Sequence, residues 1–265
     1  MISTTRNGSR RRTPAPLLAA MAAVLVLAPS RSPLAAAFAP AGAPGSAQAT
    51  VLSMAPPGSS LLKPAATPLL DSGKALARSG ELLIDLTRTL DLYGGALSAA
   101  GAQIRNAGDC LAQAGASSRF KTGRELVIDE IREAATCLSE ATDKTGLAVE
   151  EAEADKDGVL RDAVSDLVGP VGICATRLEE AGARIMMRQS LREVGDSLVA
   201  AGEGMESMSG CVDALARASN EDADGILSAQ RMSFAAEKLK EAGTELRGDT
   251  KEKKNDGRAF LKGGF

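Results

Sequence analysis

The residues of this chain with the most evident chemistry are four cysteines. Cys110, Cys137, Cys174 and Cys211 stand 27, 37 and 37 residues apart in the short contexts Gly-Asp-Cys-Leu, Ala-Thr-Cys-Leu, Gly-Ile-Cys-Ala and Ser-Gly-Cys-Val. None belongs to a Cys-x-x-Cys pair, and the 265 residues contain no histidine, so zinc and iron-sulfur ligation have no support. A reactive thiolate would need a neighbouring base or cation, and the sequence places none beside these thiols. They are expected to be small apolar core residues in a reducing compartment, or helix-bridging disulfides in an oxidising one.

A second constellation is acidic. Asn220, Asp222, Asp224, Gly225 and Leu227 match positions one, three, five, six and eight of a calcium-binding loop, but position twelve, a bidentate glutamate in such loops, is Arg231. The better expectation is an acidic turn in which Asn220 or Asp222 caps a helix. Without histidine there is no imidazole base, and no phosphate-binding glycine loop is present. The chain has no tryptophan, one tyrosine and five phenylalanines, too few for nucleic-acid stacking. No catalytic centre, cofactor, metal or nucleic-acid partner is therefore expected, the alternative being an enzyme that works with carboxylates and lysines alone.

The elements that would carry these residues divide into two kinds of polypeptide. Residues 1–70 hold ten of the eleven prolines and no acid, whereas all 34 acidic residues and 25 of the 31 basic ones lie from Asp71 onward, a net charge of -9 there. Arg10-Arg11-Arg12 precedes the apolar run Leu17–Ala28, and Ala35-Ala36-Ala37 offers a small-residue cleavage site, so residues 1–37 read as a signal peptide. The run is shorter than the roughly 20 residues a membrane span requires. Residues 38–54, free of acids and rich in alanine, serine, threonine and proline, have the composition of a transit segment. Residues 55–68, with Pro56, Pro57, Pro64 and Pro68, are expected to be a flexible arm.

A signal peptide ending in alanine, followed by Phe38-Ala39-Pro40 and an acid-poor stretch, resembles the bipartite plastid presequences of algae with complex red plastids. The resemblance covers about the first 55 residues. It implies delivery to the plastid stroma or the stromal face of the thylakoid, with the thylakoid lumen or secretion as alternatives.

From Leu69 onward the spacing changes. Leu69, Leu76, Leu83, Leu90, Leu97, Ile104 and Leu111 recur every seven residues, and four residues after each stand Gly73, Gly80, Thr87, Gly94, Gly101, Gly108 and Gly115. Such spacing puts a leucine ridge beside a glycine groove on one helix face. Related phrases return at Leu178/Gly182, Leu191/Gly195, Leu198/Gly202 and Leu239/Gly243. Each helical glycine costs about 0.8 to 1 kcal/mol relative to alanine, a cost that close approach of a second backbone can offset.

The spacing predicts an all-α fold over 69–248: a bundle of about five antiparallel amphipathic helices with Gly/Ala-rich close-packed interfaces. The helices are expected over 69–116 with a bend at Gly94-Gly95, from about Thr122 with Leu126, Ile131, Leu138 and Val149 on the apolar side, over 156–168 ending before Pro170, over 171–218 with an interruption at 188–190, and over 222–247. Residues 249–265 form a basic tail. Candidate interaction residues are Leu76, Gly80, Leu83, Leu97, Gly101, Ile104, Gly108 and Leu111 on the ridge and groove, with Phe260 and Phe265 in the tail. The function expected is a non-catalytic plastid interaction protein, such as a peripheral linker or assembly subunit of a photosystem or antenna complex with peripheral membrane contact. A helical lipid or pigment carrier at the thylakoid surface and a secreted helical protein are the alternatives.

Overall fold

The computed structural model describes residues 60–89, 95–153, 158–219 and 222–248; the expected signal peptide, transit segment and basic tail lie outside them. Ser53–Phe265 forms one compact unit. The described residues are all-helical: α1 Ala66–Thr89, α2 Ala96–Ser117, α3 Arg124–Glu153, α4 Gly158–Met186, α5 Leu191–Ala218 and α6 Ala223–Arg247. Each helix packs on its chain neighbours, and α6 packs back on α1, so the six close a ring.

Contacts between the helices give every adjacency an antiparallel register. A Cβ placed on Gly73 would meet Gly108 and Ala112, and one on Gly80 would meet Gly101 and Arg105. Moving forward by seven in α1 moves back by seven in α2. The α5/α6 pair repeats this scheme, with Gly195 against Gly243, Gly202 against Ala236, and the Ser209 hydroxyl donating to the Ala229 carbonyl at 2.8 Å. In the α3/α4 pair Gly182 faces the Arg132 side chain, and a Cβ on Gly172 would reach only Thr142, at 3.6 Å.

Residues three and four positions after an inward leucine lie on either side of it, so α1 addresses three surroundings at once. Leu69, Leu76 and Leu83 point into the ring and are buried. Gly73 and Gly80 face α2. Ser72 and Ser79 face α6, where the Ser72 hydroxyl donates to the Ala235 carbonyl at 2.8 Å, and the Ser79 and Ser228 hydroxyls lie 2.9 Å apart, each also 2.9 Å from the other residue's carbonyl. Inward residues from the other helices, among them Leu97, Ile104, Leu138, Leu167 and Leu178, have no accessible surface.

Three boundaries differ from the sequence expectation. The continuous heptad suggested one bent helix over 69–116, but α1 and α2 are separate antiparallel helices whose glycine rows meet, so the count is six rather than five. Pro64 and Pro68 do not exclude helix: Pro64 lies in a 3-10 turn, Lys63–Ala65, and Pro68 in the first turn of α1, where backbone N–H groups lack intrahelical partners anyway. Pro170 lies inside α4 instead of ending a helix at 168. Its missing N–H orphans the Asp166 carbonyl one turn back, and the Cys211 thiol of α5 points its donor at that oxygen at 3.4 Å. The break between α4 and α5 falls where expected. Ser190 caps α5 in a reciprocal box with Glu193, after Arg188 takes a left-handed conformation at φ 57. Gly248, at φ 83, ends α6 as C-terminal glycines do. Leu126, expected on the apolar side, is instead exposed, while Ile131 and Leu138 are buried as expected.

The glycines separate into two classes with opposite expected responses. A methyl group on Gly108 would lie 2.7 Å from the Gly73 carbonyl oxygen and closer still to the Ala77 nitrogen, whereas one on Gly210 meets nothing within 4 Å. Gly108→Ala should destabilise the protein by about 1 to 3 kcal/mol through overpacking, and Gly210→Ala should stabilise it by about 0.5 to 1 kcal/mol through helix propensity. Urea unfolding followed by circular dichroism reads both; equal effects of the two substitutions would contradict the register.

Candidate functional site

The structure places the ridge and groove residues of the sequence expectation inside the chain. Leu76, Leu83, Leu97, Ile104 and Leu111 are fully buried, and Gly80, Gly101 and Gly108 lie against backbone of the partner helix in the α1/α2 pair. Their interaction is with one another. Phe260 and Phe265 lie outside the described residues.

The cysteines occupy the interfaces between helical hairpins, with Cys110 and Cys137 on α2 and α3 and Cys174 and Cys211 on α4 and α5. All four are free thiols. Burial pushes the Cys174 thiol up to about 12. Cys110 is pushed to about 12 as well, first by burial and then by Cys137, Glu130 and Glu133. Cys137 and Cys211 are also raised, chiefly by burial. Low-dielectric surroundings and neighbouring acids both disfavour a thiolate, so the microenvironment is the reverse of one that activates a nucleophile. The Cys211 thiol also has a structural task, filling the hydrogen-bonding gap left by Pro170.

The acidic turn does what its sequence suggested as a cap. The Asp222 carboxylate accepts from the Asp224 and Gly225 backbone N–H groups at 3.0 and 3.1 Å, holding the start of α6. Among the described residues no group of three or more Cys, Asp or Glu is arranged to hold a metal ion.

A groove of about 600 Å³ lies on the outside of the α3/α4 pair, lined by Ser139, Thr142, Asp143, Gly172, Thr176 and Glu179 among others. It exists because this pair lacks matched glycines and its backbones stand apart. Part of its polar lining is engaged within the chain: Thr142 and Thr176 donate to the Leu138 and Gly172 carbonyls of their own helices, and Glu179 lies 3.5 Å from Arg132.

Sequence reasoning missed the hydroxyls that close the ring. Ser72 and Ser79 follow the inward leucines by three, a second small-residue row with the same seven-residue period as the glycines, and that row is the signal that could have found them. No protein-family model, curated protein or solved structure matches the chain.

The thiols generate two predictions. Because Cys110 and Cys174 stay protonated in the folded state to about pH 12 while unfolded thiols ionise near 9.0, their contribution to stability is intact below pH 9 and declines between 9 and 12. Urea unfolding across that range should show the decline, and Cys174→Ala should flatten it. The Pro170 and Cys211 side chains should be coupled: Cys211→Ala alone should cost about 0.5 to 1.5 kcal/mol, and much less when Pro170→Ala restores the backbone donor. An additive double-mutant cycle would dismiss the pairing.

Proposed function

We propose that this protein is a non-catalytic structural and interaction protein of the plastid, a peripheral linker or assembly subunit of a photosynthetic complex, held at the stroma or the stromal face of the thylakoid. The observation that carries the reading is where the reactive groups go. Thiols are raised out of their reactive range, interhelical hydroxyls are engaged with carbonyls, and the acidic turn caps a helix. Side chains committed to packing leave the protein its surface and its rigidity to work with.

The packed interior weighs against the alternative of a lipid or pigment carrier. Inward leucines without accessible surface leave no space for an acyl chain or a macrocycle unless helices part, and parting α1 from α2 would expose the glycine row. The presequence resemblance supports the plastid.

Native electrophoresis of plastid membranes and stroma with mass spectrometry of each band tests this directly. The protein should co-migrate with a larger photosynthetic complex, without bound pigment or lipid of its own. Recovery only as a free protein, or in the secreted fraction, would overturn the reading.

A further inference from the structure

The two ends of the ring differ in chemistry. One end gathers the start of α1, the α2–α3 turn, the α4–α5 turn and the end of α6, where Arg247 pairs with Asp196 and Glu245 adds one acid, because antiparallel neighbours bring these segments together. Five of its apolar side chains are more than half exposed: Leu61, Phe120, Leu126, Met186 and Met187. Interleaved with them are Lys63, Arg119, Lys121, Arg188 and Arg192, all exposed and in no ion pair among the described residues. The acids of these turns are Glu125 and Glu193, and Glu193 is engaged in the cap of α5. At the opposite end the cations Arg88, Arg161 and Arg217 are each paired with an aspartate of their own helix, Asp85, Asp162 and Asp213. Glu150, Glu151, Asp222 and Asp224 add negative charge there.

We infer that the basic apolar end docks on the surface of an anionic lipid bilayer. The local sequences Arg119-Phe120-Lys121 and Met186-Met187-Arg188 set apolar side chains directly beside cations. That juxtaposition suits a headgroup boundary, where cations meet phosphate and the apolar groups enter the acyl region just below. The surface is held in place rather than left loose: Arg124 donates to the Ile185 and Met186 carbonyls, tying the two turns together, and Arg184 donates to the Glu193 carbonyl at 2.6 Å. No described helix is long and apolar enough to cross a membrane, so the contact is peripheral. An acidic protein partner would match the charge as well, but the exposed side chains stand on separate turns, and a fluid surface accommodates such a set better than a shaped one. The inference goes beyond the assembly role, which requires no lipid contact.

Vesicle co-sedimentation of the compact unit Ser53–Phe265 tests it, using phosphatidylcholine vesicles with and without about one third phosphatidylglycerol. Binding should require the anionic lipid and weaken as salt is raised from about 0.05 to 0.3 M. Phe120→Ser with Met186→Ser and Met187→Ser, and separately Arg119→Glu with Lys121→Glu and Arg188→Glu, should each lower partitioning by about tenfold or more. Both sets should leave the thermal melt unchanged, since the residues are exposed. Glu150→Lys with Glu151→Lys, at the opposite end, should not weaken it. Equal binding to both vesicle types, or wild-type binding by the end variants with the basic tail still attached, would overturn the inference. So would vesicle binding that is absent altogether while the end variants lose co-migration with a plastid complex, which would assign the surface to a protein.

Discussion

Backbone-to-backbone approach at the glycine rows is the constraint from which the rest of the structure follows. A methyl group at Gly73 or Gly108 would collide with the main chain of the facing helix, so α1 and α2 stand closer than side-chain packing allows. Dispersion between the two backbones then replaces the contacts that larger side chains make elsewhere. The same device holds α5 to α6. With two of three hairpins drawn tight, leucine, isoleucine, valine and methionine suffice to fill the middle, which explains a core built with almost no aromatic volume.

Closing the ring needs a different interaction, because the glycine face of α1 is already occupied by α2. The row on the other side of its leucines is serine, small enough for α6 to approach, and its hydroxyls are satisfied by carbonyls across the interface. Buried hydroxyls left unpaired would oppose folding; paired, they also fix the register of α6 against α1. Pro170 and Cys211 form a comparable arrangement between α4 and α5, where a neighbouring helix supplies a donor that the chain itself lacks. The α3/α4 hairpin goes without matched glycines, and there the outer surface opens into a groove.

This economy bears on function. Groups that could have been nucleophiles or ligands are absorbed into helix contacts, so what the molecule presents to its surroundings is charge and shape. The two ends present different charge.

Much of the fold is legible in the order of the amino acids alone. The heptad of large apolar residues, the small residue (glycine at all but Thr87) four positions after each, and the scarcity of β-branched residues require close-packed amphipathic helices; Asp222 and Gly248 mark the limits of α6 by their capping chemistry. The same spacing does not say which helices meet. An unbroken heptad through residues 69–111 is equally compatible with one long helix offering its ridge to a partner and with two helices folded so that the ridge meets itself. Pairing is decided by contacts far apart in sequence, Gly73 with Gly108 or Ser79 with Ser228, whose energies no local pattern contains. The tolerance of Pro170 likewise depends on a thiol 41 residues later. Helical periodicity and packing density are thus properties of the local sequence, while ring closure, burial of the leucine–glycine face and the gathering of basic and apolar turns at one end arise only when antiparallel helices bring distant residues into contact.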